Sequence, residues 1–127
     1  MGSSTWDESA DFVVLPMYDG ELGVLPGRLP LIGRLGYGEL RIRRGAGTER
    51  FFVDGGFAQV RDNVVTVLTS RAVKAEEIDP DVVQRALDEA HQPAPTPEAQ
   101  DARLKAQERA RSQLRVARHA RGETAHT

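Results

Sequence analysis

The sequence predicts an antiparallel β-sandwich followed by a C-terminal antiparallel two-helix hairpin. Three observations point that way. Between residues 11 and 73, short runs of Val, Leu, Ile and Phe are divided by glycine-bearing turns at close spacing, the mark of a sandwich or barrel. From Asp79 onward apolar residues recur at helical spacing, and two helix starts follow one another. Between those helices stands Pro93-Ala94-Pro95-Thr96-Pro97, a stiff linker.

Taken in order, Phe12-Val13-Val14-Leu15 reads as a strand that ends at Pro16, with Tyr18-Asp19-Gly20 as the next turn. Gly33-Arg34-Leu35-Gly36-Tyr37-Gly38 reads as turn glycine, since it has neither the spacing nor the following helix of a phosphate loop. Glu39-Leu40-Arg41-Ile42-Arg43 alternates charged and apolar residues, as a strand with one wet face does. Gly45-Ala46-Gly47 turns it into Glu49–Val53, a hairpin. Asp54-Gly55-Gly56 is expected to break the chain before Phe57–Val60, which Arg61-Asp62-Asn63 joins to Val64–Leu68. Asp79 is an acidic N-cap with Pro80 behind it, and Val82, Val83, Ala86, Leu87 and Ala90 share a helical face. Thr96-Pro97-Glu98 repeats the start signal for a helix running to about Arg121, with Gly122 as its stop. Its stripe is mostly alanine: Ala99, Ala102, Ala106, Ala110, Leu114, Ala117 and Ala120. The expected organisation is a sandwich over 1–78, a hairpin over 79–122 with its linker at 92–97, and a disordered tail at 123–127.

Composition narrows the chemistry. The 127 residues carry 17 Lys and Arg against 19 Asp and Glu, a net charge of -2. Yet 101–121 holds 7 basic and 2 acidic residues, a local excess of 5. Without cysteine there is no disulfide, thiolate metal site or cysteine nucleophile. His91, His119 and His126 lack ligand spacing, so no metal is expected. The longest apolar run is four residues, too short to span a bilayer, and the polar start MGSSTWDESAD is no secretory signal. Lys74 and Lys105 do not follow glycine, which excludes a phosphate-binding loop, and Ser70 has no nearby histidine. The expectation is a soluble, intracellular, non-catalytic chain. A nucleic-acid-binding adaptor using the basic helix is the rival reading, opposed by the overall charge and the 6% aromatic content.

The stretch Asp19-Gly20-Glu21-Leu22-Gly23-Val24-Leu25-Pro26-Gly27-Arg28-Leu29-Pro30-Leu31 resembles the signature of the epsilon subunit of bacterial F-type ATP synthases. Later features keep that family's order: Gly38-Glu39-Leu40-Arg41-Ile42, then FFVDGGFAQVRDNVVTVLT at 51–69, then Ala75-Glu76-Glu77-Ile78-Asp79. Gln113-Leu114-Arg115-Val116-Ala117 is similar to the end of the family's second helix. The resemblance implies a non-catalytic central-stalk subunit that binds the gamma subunit and the rotor-ring c subunits. It couples proton flow to ATP synthesis and inhibits ATP hydrolysis through its C-terminal helices. The implied location is peripheral, on the cytoplasmic side of the plasma (inner) membrane, with membrane contact only through the complex.

The same resemblance assigns residues. Glu21, Leu22, Gly23 and Arg28 become candidate contacts with the rotor ring and gamma, Glu21 being placed in a loop and Arg28 standing where the family has histidine. Lys105, Arg109, Arg111, Arg115 and Arg118 become candidates for an acidic segment of the catalytic beta subunit. Phe51, Phe52, Val53 and Phe57 are assigned to the core or to the gamma interface. No catalytic residue, metal or cofactor is implied beyond the regulatory ATP that some members bind, for which Asp79 and Arg85 are the candidates. They stand six residues apart where the family motif has three, so weak or absent ATP binding is expected. The family also begins with a strand ahead of the position of Thr5. With that strand missing, the sandwich is expected to show an unpaired edge.

Overall fold

In the computed structural model the backbone is described for residues 3–5, 10–28 and 30–122, and side chains from residue 10 onward. The strands are β1 (Ser3–Thr5), β2 (Phe12–Met17), β3 (Gly20–Val24), β4 (Leu31–Arg44), β5 (Gly47–Arg61), β6 (Val64–Leu68) and β7 (Ala72–Lys74). A single 3-10 turn, Ala75–Glu77, precedes the helices α1 (Pro80–Ala90) and α2 (Pro97–Ala120). The chain divides into two units, Met1–Lys74 and Ala75–Thr127, so the boundary falls ahead of the expected residue 78. The tail expected at 123–127 lies outside the described residues.

The first unit is a β-sandwich made from one antiparallel sheet in the order β1-β6-β5-β4-β2-β3, with β7 also on β5. Two long strands build it. β4 and β5 stay paired from Leu31↔Val60 to Arg44↔Gly47. On its other edge β5 pairs with β7 through Phe51–Val53 and with β6 through Phe57–Arg61. The change of partner falls at Gly55 and Gly56, whose φ values are 71° and 108°. A Cβ on Gly56 would overlap the Leu68 carbonyl oxygen, so only glycine fits. The expected break at 54–56 is thus a kink within one strand. The ladder with β4 carries the chain across it.

Gly33–Gly38 is corrected in the same sense: these residues lie inside β4, not in a turn. At Gly38 an added Cβ would stand 2.7 Å from Cβ of Pro16 on the neighbouring strand, so the absent side chain is what lets the strands close up. Pro16 itself belongs to β2, at the register shift between Val14 and Met17 where the ladder to β4 is interrupted. A proline lacks the N–H a regular ladder needs, and the irregularity accommodates it. The edge of β6 is also corrected. Ser3–Thr5 pairs along it, from Ser3↔Leu68 to Thr5↔Thr66, so a short N-terminal strand is present where none was expected.

Leu15, Val24, Leu35, Leu40, Ile42, Phe51, Val53, Ala58, Val60 and Val67 form the buried core of this unit. In the second unit Asp79 and Thr96 cap α1 and α2 as expected: Asp79 accepts from the Asp81 N–H at 3.0 Å and Thr96 from the Ala99 N–H at 3.1 Å. Val83, Leu87 and Ala90 are the buried line of α1, at steps of four and three. Val82 and Ala86, expected on that line, are exposed. On α2 the alanine stripe is buried only in its C-terminal half, at Ala110, Leu114 and Ala117, joined by Ser112 and Val116.

Candidate functional site

Glu21 lies within β3, not in a loop, and its carboxylate is engaged. Arg41 on β4 donates to it from Nη1 at 3.0 Å and from Nη2 at 3.3 Å, a two-pronged contact. Arg41 Nη1 also donates to Glu39 Oε1 at 3.0 Å, and Arg50 Nη1 reaches the same oxygen at 3.1 Å. Glu39 is buried, its side chain only 6% exposed, so its charge is matched inside the protein and not by water. Burial works against the Arg41 charge, but the bonds from Glu21 and Glu39 outweigh it and leave its pKa above the ordinary arginine value. The four groups neutralise one another. Glu21 therefore presents a fixed, paired carboxylate.

The other candidates near it divide between surface and core. Leu22 packs against the sandwich core, and Gly23 lies under the Phe12 ring, where an added Cβ would come within 3.0 Å. Arg28 is exposed, in a turn that the Asn63 side chain holds by accepting from the Gly27 N–H at 2.8 Å. Glu21 and Arg28 remain as surface groups.

A second surface is apolar, and the sequence reading did not assemble it. Phe57 is 53% exposed while Phe51, Phe52 and Val53 are buried, so the four residues assigned together part company. Phe57 pairs directly with Leu68 on β6, which is 50% exposed, and with Arg34 on β4. Side chains at paired positions lie side by side on one face. The Arg34 guanidinium sits 4.7 Å from the centre of the Tyr18 ring, and Ile32, two residues along β4, is 73% exposed. Tyr18, Ile32, Arg34, Phe57 and Leu68 thus form one exposed stripe. The available signal was alternation: Ala58 and Val60 are buried, which turns Phe57 outward.

On α2, Lys105 pairs with Asp101 at 3.4 Å, and Arg109 is half-buried. Arg111 stands against His91, Nη2 to Nε2 3.3 Å, and donates to Gln107 Oε1 at 3.4 Å. Arg115 and Arg118 are exposed. Of the arginines expected on one face of α2, Arg111 is already occupied within the hairpin. Asp79 is spent on its cap, and Arg85 Nε donates to the Asp81 carbonyl at 3.4 Å, so the two ATP candidates make separate local contacts.

The class is that of a β-sandwich domain followed by a two-helix hairpin. Residues 2–75 match the family model for the β-sandwich domain of the ATP synthase delta/epsilon chain. The ATP synthase epsilon chain of Rhodopirellula baltica is 56% identical over 113 residues, 88% of each chain. That of Synechococcus sp. (strain JA-2-3B'a(2-13)) is 38% identical over 90% of this chain and 85% of its own length. Among solved structures, a chain of the Euglena gracilis mitochondrial ATP synthase, resolved as OSCP/F1/c-ring, superposes with a TM-score of 0.76 at 29% identity, over 84% of this chain and 69% of that one. The chain belongs to the family of ATP synthase epsilon chains, the F-type central-stalk subunit.

Proposed function

We propose that this chain is a non-catalytic subunit that docks on the gamma subunit through the exposed stripe of its sandwich. It contacts the rotor-ring c subunits through the Glu21 and Arg28 side of β3, couples proton flow to ATP synthesis, and restrains ATP hydrolysis through its helices. The membership of the family supports the reading, and one observation carries it: Ile32, Phe57 and Leu68 are exposed together on adjacent strands. Apolar side chains grouped on one face and edged by an arginine–tyrosine pair suit the centre of a protein interface. The complex would sit peripherally, on the cytoplasmic side of the membrane. No helix among the described residues is long and apolar enough to cross it.

Gamma capture tests this. Purified gamma should retain the wild-type chain, and Phe57→Asp with Leu68→Asp should weaken retention at least tenfold while the far-UV spectrum is unchanged. Equal retention of both proteins would refute the assignment of the stripe.

A further inference from the structure

We infer that Arg34, laid against the Tyr18 ring, pairs with a carboxylate of the gamma subunit and so selects which apolar surface the sandwich accepts. This rests on the reading of the exposed stripe as the gamma-docking face and names the chemistry that face demands of its partner. The two side chains come from different elements, and the sheet fixes them. Tyr18 follows the end of β2, and its N–H donates to the Arg34 carbonyl at 2.8 Å. That bond ties the turn after β2 to β4, so ring and guanidinium start from backbone held together. The guanidinium then sits 4.7 Å from the ring centre, within the range of a cation–π contact.

The charge of Arg34 is otherwise unmatched. Arg41, Arg44 and Arg50 each bond a glutamate of the sandwich, but among the described residues no carboxylate pairs with Arg34. The ring covers one face of the guanidinium and leaves its in-plane N–H donors to water. An arginine stays charged at any physiological pH. Its neighbours are Phe57, at the paired position on β5, and Ile32, two residues along β4, both exposed. A partner that covers those two side chains also strips water from the Arg34 donors.

Burying a charge without a partner is costly, so the covering surface must return acceptors where it removes water. A carboxylate meets the fork of the guanidinium with two parallel bonds, which a single carbonyl oxygen cannot do. The stripe therefore sorts its partners in two ways. Apolar groups must meet Ile32, Phe57 and Leu68, and an Asp or Glu must border them opposite Arg34. An apolar patch without that acid is rejected by the desolvation cost. The stacked ring limits the directions the long side chain explores, and so reduces the entropy lost on pairing.

Capture by purified gamma reads this out in the full chain. Arg34→Gln removes the charge from an exposed site and should weaken capture roughly tenfold or more. Arg34→Glu should weaken it further, with the gap between the two variants closing as salt rises. Tyr18→Phe should bind as wild type and Tyr18→Ala less tightly, since it is the ring that holds the guanidinium. Arg34→Lys keeps the charge and supplies an amine, in a chain whose other lysines are Lys74 and Lys105. A carbodiimide joins an amine to a carboxylate in contact with it. It should therefore yield a gamma cross-link at position 34, located by peptide mass spectrometry. Capture of Arg34→Gln equal to wild type, or a gamma complex of Arg34→Lys without that cross-link, would overturn the carboxylate contact. Phe57→Asp with Leu68→Asp separates the two readings. If that variant is captured undiminished, the stripe itself is wrong; its loss beside an unchanged Arg34→Gln removes only the carboxylate contact.

Discussion

Glu39 is the charged side chain buried among the described residues, and two arginines share its Oε1. Glu39→Gln would keep the shape but leave Arg50 without that charge and Arg41 with only Glu21. A loss of about 1–3 kcal/mol is expected in urea unfolding. Glu21→Gln, at the exposed end of the same cluster, should cost no more than about 1 kcal/mol. The contrast measures how far burial, and not charge alone, makes the cluster matter. Gly56→Ala tests the kink. Its φ of 108° and the overlap with the Leu68 carbonyl put the expected loss at about 2–5 kcal/mol, again read by urea unfolding.

At the scale of elements, what was legible in the sequence was what is decided locally. Asp79-Pro80 and Thr96-Pro97 name their caps within three residues, and both helices start there. Thr96→Ala and Asp79→Ala should each lower stability by about 1 kcal/mol in thermal unfolding. Because Asp79 is committed to its cap, millimolar Mg-ATP should not raise the melting temperature of the wild-type chain; ligand binding to the native state would raise it. The strands were harder to read. Whether Gly55-Gly56 ends a strand or kinks one depends on β4, β6 and β7, which no local window contains. The three-residue β1 carries almost no periodicity and is defined by its pairing with β6. Of the candidate site, Glu21 and the basic face were visible as motif and charge. The Arg41 clamp on Glu21 and the Phe57–Leu68 stripe were not, because each joins residues on different strands.

At the scale of the molecule, the proposed function assigns separable tasks to the two units. The sandwich core lies wholly between Leu15 and Val67, so residues 1–74 should unfold cooperatively on their own and still bind gamma. The hairpin should govern hydrolysis, and there the basic residues divide. Arg115 and Arg118 are exposed and make the cationic face available to an acidic partner, whereas Arg111 is engaged with His91 and Gln107. Replacing Arg115 and Arg118 by alanine should therefore relieve the proposed inhibition of the reconstituted enzyme. Replacing Arg111 would remove one further charge from the same face, but that side chain is already engaged within the hairpin. Its net effect should be smaller than that of the Arg115 and Arg118 pair. Since exposed ion pairs weaken as salt shortens the screening length to about 8 Å at 0.15 M, the difference between wild type and the double variant should shrink as ionic strength rises. Steady-state ATPase rates at low and moderate salt decide it. Equal rates for wild type and the double variant at low salt would reduce the basic face to a solvated surface.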